Sequence, residues 1–321
     1  MLIARQLQPL LARHLLRGKS ILLLGPRQTG KTTLLNTLGA DLAVSLASPA
    51  ARQRYERDPS ILADEIGAIR AQPARRTPPL VTIDEVQKVP ALMDVGQDLI
   101  DRRQARFVFT GSSARKLRRG RELNLLPGRV VVLRLDPFTL EELPPGGLHE
   151  AILDGALPAV RATDDTADRE ADLRSYVETY LEEEVRQEAL VRNVGAYGRF
   201  VELAAREAGR VANYTRISQD VGVSSVTIQS YYDILCDCLI AERVEPVTRS
   251  ASRKKLTKAS RYLLFDTGVA RAARGEGCRC HAWASCLNSS SVSKPSGSAA
   301  STRRTPASAS GATRTAPTST G

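Results

Sequence analysis

The chain of 321 residues is long enough for two domains, and its 42% hydrophobic and 25% charged residues are ordinary for a globular protein. Five cysteines do not make a disulfide framework, no apolar run has the length of a membrane span, and the start lacks a signal-peptide layout, so we expect a cytoplasmic protein. The net charge of +11 leaves nucleic-acid binding open without requiring it, because the basic residues are spread along the chain.

The first twenty residues, MLIARQLQPLLARHLLRGKS, predict an amphipathic helix. Their apolar side chains recur at helical spacing, and arginines occupy the other face. This pattern is typical of a helix docked on a hydrophobic core. The predicted apolar face consists of Leu2, Ile3, Leu7, Leu10, Leu11, Leu15 and Leu16.

A phosphate-binding loop follows this helix. SILLLG has the composition of a buried strand, KTTLLNTLGA is helical in pattern, and GPRQTGKT between them fits G-x-x-x-x-G-K-[ST]. In such a loop, backbone N–H groups and the N-terminus of the following helix face the phosphates. We expect Lys31 to contact the β- and γ-phosphates and the Thr32 hydroxyl to ligate Mg²⁺. The predicted nucleotide-binding residues are Gly25, Pro26, Arg27, Gln28, Thr29, Gly30, Lys31, Thr32 and Thr33.

Two adjacent carboxylates end a later apolar strand, in PLVTIDEVQKVP. Asp84 is predicted to hold the water shell of Mg²⁺, and Glu85 to activate the attacking water as a general base. The alternative is that this pair only caps the following helix. The phosphate loop upstream favours ATP hydrolysis, with Lys31 and Glu85 as catalytic residues.

Hydroxyl side chains end a third apolar strand, in ARFVFTGSSARKL. Thr110 or Ser112 is predicted to sense the γ-phosphate, as a polar residue beside the metal-binding strand does in P-loop ATPases of the AAA type. The alternative, of equal weight, is that these hydroxyl groups cap a helix that starts near residue 114.

A cation for the transition-state charge has several candidates. We expect Arg129 to open the strand in LPGRVVVLRLDPFTLEEL on the phosphate-loop side of the sheet. It would act within the chain or across a subunit interface of an oligomer. Arg115, Arg118 and Arg119 compete for this role.

The alternation of apolar strands with helical stretches predicts an α/β P-loop domain over residues 1–145, with a parallel sheet and helices on both faces. The sequence contains no guanine-recognising Asn-Lys-x-Asp segment, which favours ATP as the nucleotide. The predicted strands lie near 20–25, 43–47, 80–84, 106–110 and 129–135.

These segments resemble prokaryotic ATPases of the AAA/STAND type that are joined to a C-terminal domain of unknown function. The resemblance extends over residues 1 to about 273 and rests on GPRQTGKTTLL, VTIDEVQKVP, FTGSSARKL, PGRVVVLRLDPFTLEEL, YVETYLEEEV and RYLLFDTGVARA. It implies ATP binding, then a winged-helix segment, then a fold similar to restriction nucleases. The chain departs from the family pattern at Ala47 and Ser48, where members often carry an acidic residue after the second strand.

The second half of the chain is predicted to be helical over residues 146–210 and winged-helix-like over 211–273. VANYTRISQDVGVSSVTIQSYYDILCDCLIAERVEP indicates helices at 214–221 and 225–238, separated by a turn at Gly222.

DNA binding by this segment stays open. The second helix is predicted to expose Ser225, Thr227, Gln229, Asp233 and Asp237 and contains no Arg or Lys, which argues against base readout and favours a docking module. Phosphate contact is left to a basic wing formed by Arg249, Arg253, Lys254, Lys255 and Lys258.

Residues 274–321 are expected to be disordered, because they are rich in Ser, Ala, Thr and Pro and lack Phe and Tyr. The Cys and His residues of CRCH match no strong zinc spacing. In a shifted reading frame, codons compatible with parts of this tail would encode sequence similar to the way the family continues, so we hypothesise a frameshifted gene or a sequencing error. Asp266 resembles the first acidic position of the nuclease-like fold, but the later ones are missing, so we do not expect the chain to cut nucleic acid.

Two functions are therefore predicted for the chain. The first is a Mg²⁺-dependent ATPase that acts as a nucleotide switch, with the helical and winged-helix region as transmitter to a protein partner. The second is a nucleotide-controlled DNA-binding or protein-interaction module with little or no turnover. A small-molecule kinase is disfavoured, because no arginine-rich lid is evident in the sequence.

Overall fold

The computed structural model describes residues 3–72, 77–112, 128–145, 147–180, 193–246 and 260–275. They form an N-terminal α/β unit and a C-terminal, mainly helical unit. Within these ranges, no helix is both long enough and apolar enough to cross a membrane.

The N-terminal unit is built on a parallel sheet of five strands in the order β2-β3-β4-β1-β5. Because all strands run in one direction, the loops that follow them emerge at one edge of the sheet. The predicted α/β fold with a parallel sheet is confirmed. The strands are β1 (Ser20–Leu24), β2 (Leu42–Ser45), β3 (Leu80–Asp84), β4 (Arg106–Gly111) and β5 (Val130–Arg134).

Helices cover both faces of this sheet, as predicted. Alternate residues of β1 belong to two different hydrophobic cores: Ile21 and Leu23 to one, Leu22 and Leu24 to the other. The first core receives side chains from α1 and α2, the second from α3, α4 and α5. These helices are α1 (Leu7–Leu16), α2 (Lys31–Asn36), α3 (Pro49–Arg57), α4 (Ile61–Arg70) and α5 (Ala91–Asp101).

Helix α1 docks through a narrower face than the sequence indicates. Leu11 and Leu15 are buried in the sheet core, but Leu10 is 38% exposed and Leu16 is 87% exposed. The prediction is therefore wrong for Leu16, which ends the helix and points away from the sheet.

The C-terminal unit contains seven described helices and an antiparallel pair of strands. A single π-helical turn, Tyr176–Tyr180, continues the third of these helices. The elements are α6 (Gly147–Asp154), α7 (Pro158–Arg161), α8 (Thr166–Ser175), α9 (Val194–Arg206), α10 (Tyr214–Val221), α11 (Ser225–Asp237), β6 (Ala241–Val244), β7 (Arg261–Leu264) and α12 (Thr267–Ala273).

One hydrophobic core joins the elements of the C-terminal unit from α7 onward. It extends from Leu157 to Ala273 and contains a cluster of aromatic rings. The Phe200 ring lies 4.8 Å from that of Tyr232, which stacks on Tyr262 at 3.9 Å. Most of the predicted helical segment 146–210 therefore shares one core with the segment 211–273.

The predicted pair of helices at 214–221 and 225–238 is present. Gly222 ends α10 with φ +79°, and the Ser224 Oγ caps α11 by accepting the Thr227 N–H at 3.1 Å. Strand β6 follows α11 in the chain and pairs antiparallel with β7.

Candidate functional site

The loop between β1 and α2 curves tightly against the end of β5. A Cβ atom on Gly25 would lie 2.2 Å from the Leu135 carbonyl oxygen, so only glycine fits there. Gly30 has φ +91°, a left-handed conformation that favours glycine. The Thr29 hydroxyl is fully buried and donates to the Pro26 carbonyl at 2.9 Å, which closes the loop on itself.

Lys31 is buried inside this loop. Its Nζ donates to the carbonyl oxygens of Gly25 at 2.8 Å and Pro26 at 2.7 Å. The ammonium group is thus held among backbone atoms of the loop. The other residues of the predicted set line the same turn: Pro26 is buried, Arg27 is half-buried, and Gln28, Thr32 and Thr33 are exposed.

Asp84 connects this loop to the neighbouring strands. It ends β3, is 6% exposed, and accepts hydrogen bonds from Thr32 Oγ1 at 2.8 Å on Oδ2 and from Thr110 Oγ1 at 2.5 Å on Oδ1. Three elements, α2, β3 and β4, therefore meet at one carboxylate.

Thr32 and Asp84 fit a magnesium ion that is shared with bound phosphate. Both offer hard oxygen donors, and Mg²⁺ is usually bound by one or two carboxylates, phosphates and water rather than by a cage of protein ligands. The described part of the chain contains no group of three or more His, Cys, Asp or Glu side chains arranged to hold a metal.

Glu85 has a backbone conformation that side chains rarely adopt. Its φ is +59°, and the residue starts a 3₁₀ turn, Val86–Lys88. Its N–H donates to Thr110 Oγ1 at 3.1 Å. Backbone strain of this kind concentrates at functional sites, because the side chain is aimed where an ordinary turn would not place it.

Two side chains hold the Glu85 carboxylate. Gln87 Nε2 donates to Glu85 Oε2 at 2.5 Å and to Ser112 Oγ at 3.0 Å, and Ser112 Oγ donates to the same Oε2 at 3.3 Å. Gln87 is 7% exposed, and its buried Oε1 has no hydrogen-bond partner among the residues that the structure describes. The sequence analysis did not select Gln87, although it lies only two residues after Glu85 in the segment DEVQK.

Thr110 and Ser112 both lie at this site, but they contact different carboxylates. Thr110 bonds to Asp84, and Ser112 bonds to Glu85. Strand β4 lies between β1 and β3, which brings both hydroxyl groups next to the loop after β1.

Arg129 lies at the end of the sheet where β1 and β5 begin, opposite to the end that carries the phosphate loop. Its expected placement on the phosphate-loop side is therefore wrong. Arg129 precedes β5, whose Val130 pairs with Ser20 at the start of β1, whereas Arg134 pairs with Leu24 beside the loop. That separation is about 13 Å along the strand. Arg129 Nε instead bonds to Asp101 at 2.5 Å, which lowers the pKa of that carboxyl.

Arg5 is a second residue that the sequence analysis missed. Its Nη1 donates to the Thr29 carbonyl at 2.6 Å, so the segment before α1 contacts the phosphate loop directly. The C-terminal unit also reaches the loop. Tyr176 OH donates to the Arg27 carbonyl at 3.5 Å, and a Cβ on Gly30 would lie 3.9 Å from Pro158.

Asp266 has a structural place in the C-terminal unit. It is buried, caps α12 by accepting the Val269 N–H at 2.9 Å, and accepts the Ala156 N–H at 2.7 Å. Burial raises the pKa of this carboxyl above its ordinary value. The helix cap explains this acidic residue without reference to a nuclease site.

Several predicted features lie outside the described residues. They are the competing arginines Arg115, Arg118 and Arg119, the basic wing Arg249, Arg253, Lys254, Lys255 and Lys258, and the tail from residue 276 onward, with its CRCH segment.

Two protein families match successive parts of the chain. Residues 17–144 match the family described as AAA domain, and residues 146–277 match the one described as Domain of unknown function (DUF8612). The boundary between them falls between β5 and α6.

Two curated relatives are "Uncharacterized protein Mb2031c" of Mycobacterium bovis and "Uncharacterized protein Rv2008c" of Mycobacterium tuberculosis. Each is 28% identical over 263 residues, which is 81% of this chain and 57% of the relative, so the chain spans little more than half of their length. Among solved structures, the crystal structure of Cdc6p from Pyrobaculum aerophilum matches 84% of this chain and 90% of that chain. Its identity is 15% and its TM-score is 0.33, too low to indicate a shared fold.

Proposed function

We propose, on the premise that residues 17–144 form an AAA-type domain, that the chain binds Mg²⁺ and ATP and hydrolyses ATP as a nucleotide switch. The observation that carries this proposal is the hydrogen-bonded chain Thr32–Asp84–Thr110, which lies beside the strained Glu85. It gathers a phosphate loop, a metal-binding carboxylate and a second carboxylate at one edge of the sheet. A domain that only caps a helix with Asp84 would not require this convergence.

The loop residues 25–32 and Lys31 would hold the phosphates. The N-terminus of α2 adds its partial positive charge, and the buried Lys31 exchanges its two carbonyl contacts for phosphate oxygens. Thr32 and Asp84 would hold Mg²⁺, which neutralises negative charge on the β- and γ-phosphates.

Glu85 would accept the proton of the attacking water. Ser112 and Gln87 fix its Oε2, so the carboxylate is oriented before a substrate arrives. A positioned general base typically accelerates a reaction by about 10²- to 10⁴-fold. Thr110 bonds to Asp84 and Ser112 bonds to Glu85, so either hydroxyl would serve as the γ-phosphate sensor.

The C-terminal unit would transmit the state of the nucleotide to a partner. Tyr176 bonds to the loop at Arg27, and its ring belongs to the C-terminal core. A shift of the loop on nucleotide binding would therefore reach that core through this direct contact. Rigid packing of this kind passes small displacements on rather than absorbing them.

A second candidate function, a nucleotide-controlled interaction module, is supported by the helix pair α10 and α11 with the strands β6 and β7. Helix α11 has Val226 74% exposed and carries no Arg or Lys, so its surface suits a protein partner better than DNA. Salt-dependent loss of DNA affinity in Lys254→Ala and Lys255→Ala would favour the nucleic-acid form of this candidate.

The test of the proposed function is steady-state hydrolysis of ATP by the purified chain, with and without double-stranded DNA and beside Glu85→Gln. Turnover that the variant loses supports the ATPase. Tight ATP binding without phosphate release under either condition would favour the interaction module.

A further inference from the structure

Arg5 is anchored against the outside of the phosphate loop by three backbone carbonyls. Its Nη1 donates to Thr29 O at 2.6 Å, and its Nη2 donates to Asp136 O at 2.6 Å and Pro137 O at 3.3 Å. The side chain is 9% exposed. Two distant parts of the chain therefore meet at one guanidinium group: the loop after β1 and the segment after β5.

Other side chains hold this guanidinium in place. Glu142 Oε1 lies 3.1 Å from Arg5 Nε, and the Phe138 ring centroid lies 5.0 Å from Arg5 Cζ. Glu142 is itself 2% exposed in its side chain and accepts N–H groups of Gln6 at 2.6 Å and Thr139 at 2.9 Å. The planar group is thus fixed on several sides before any ligand binds.

The contact at Thr29 has a consequence for the next amide. In a trans peptide, the C=O of one residue and the N–H of the following residue point in opposite directions. Because Arg5 draws the Thr29 carbonyl outward, the Gly30 N–H points to the other side of the loop, where phosphate would bind.

We propose that Arg5 is a positioning residue for nucleotide binding: it fixes the Thr29–Gly30 peptide so that the Gly30 amide faces the phosphates. This rests on the proposed function, because it names a further residue of the same site. Arg5 does not itself touch the nucleotide. Since loop amides of this kind contact the α- and β-phosphates, the effect applies to ADP as well as to ATP.

The structural alternative is that Arg5 only ties the N-terminal segment to residues 136–142. That role would lower the melting temperature of the nucleotide-free protein but leave the affinity of the folded protein unchanged. The positioning role lowers the affinity measured well below the melting temperature. Stabilisation by nucleotide follows RT ln(1 + [L]/Kd), so the melting shift caused by a fixed ADP concentration also shrinks.

The experiment measures dissociation constants of ADP and ATP, together with melting temperatures, for the wild type, Arg5→Gln, Arg5→Lys and the control Arg17→Gln. Arg17 is an exposed arginine at the end of α1. We expect Arg5→Gln to weaken both nucleotides by about tenfold or more, in line with the loss of a charged hydrogen bond. Arg5→Lys keeps the positive charge but loses the planar guanidinium group with its several N–H donors, so its affinities should lie between those of Arg5→Gln and the wild type. The affinities of Arg17→Gln should match those of the wild type.

Affinities of Arg5→Gln within twofold of the wild type would overturn the inference, even if its melting temperature falls. If Arg5→Gln does not fold, Arg5→Lys decides in the same way. If the wild type binds neither nucleotide, the proposed function fails first, and this inference fails with it. If the wild type binds nucleotide and the Arg5 variants bind it equally well, only the inference about Arg5 fails.

Discussion

The Thr32 hydroxyl donates to Asp84 Oδ2 at 2.8 Å, although Thr32 lies in α2 and Asp84 ends β3. This bond joins the first turn of α2 to the end of β3. The two oxygens are the pair that we propose for Mg²⁺. The fold therefore brings the two proposed ligands together in the protein without nucleotide.

Asp84→Asn should remove the contribution of Mg²⁺ to nucleotide affinity. The amide keeps the shape of the side chain but loses the negative charge that attracts the cation. We expect ATP affinity in the presence of Mg²⁺ to fall by about tenfold or more, and affinity in EDTA to change little. Equilibrium binding of ATP with Mg²⁺ and with EDTA measures both values.

The matched control is Asp98→Asn on α5, a carboxylate that is 54% exposed and pairs with Arg102. It should behave like the wild type in both conditions. An undiminished Mg²⁺-dependent gain in Asp84→Asn would contradict the assignment of the metal site.

Gly25→Ala should destabilise the N-terminal unit, because the new Cβ would lie 2.2 Å from the Leu135 carbonyl oxygen. The backbone at β5 must move to admit it, at a cost of about 1–3 kcal/mol. Urea unfolding measures the change. Gly67→Ala is the control: Gly67 lies in α4 with nothing within 4 Å of the added Cβ, so the substitution should stabilise by up to about 1 kcal/mol. Equal stabilities of the two variants would be inconsistent with this packing.

Asp266 predicts a pH dependence of stability. Burial raises its pKa in the folded protein, so the folded state binds more protons than the unfolded chain between the two pKa values. Its contribution is fully present below the unfolded pKa of about 3.9 and is lost as pH rises through the folded pKa. Asp266→Asn cannot ionise and lacks this dependence.

The measurement is the free energy of unfolding of the wild type minus that of Asp266→Asn, determined by urea at several pH values from about 4 upward. We expect this difference to fall with pH, since the other titrating groups cancel. A difference that rises with pH would mean that the N–H donors of Ala156 and Val269 stabilise the carboxylate more than burial penalises it.

Much of the fold follows from local patterns in the sequence. Short apolar runs bounded by turns predicted the five strands, and Ser224 predicted the start of α11, because such signals act over a few residues. The position of Asp84 and Glu85 at the end of β3 is of the same kind.

Contacts between distant residues could not be predicted in this way. Arg5 meets Asp136 across 131 positions, and nothing near Arg5 in sequence marks that contact. Gln87 turns back to Glu85 because of the left-handed backbone at Glu85, which a non-glycine residue rarely adopts. The position of Arg129, in contrast, could have been predicted. In a parallel sheet, a residue at the start of β5 lies at the opposite end from the loop that follows β1.

The most direct test of the account compares ATP binding and steady-state ATP hydrolysis in the wild type and in Glu85→Gln, both with Mg²⁺. Glu85→Gln should bind ATP with nearly the wild-type affinity, because the hydrogen bonds to the Glu85 carboxylate come from Gln87 and Ser112 and not from the residues proposed to hold phosphate or Mg²⁺. Its turnover should fall by about 10²- to 10⁴-fold, the usual contribution of a general base. Turnover in Glu85→Gln equal to that of a hydrolysing wild type would contradict the proposed mechanism.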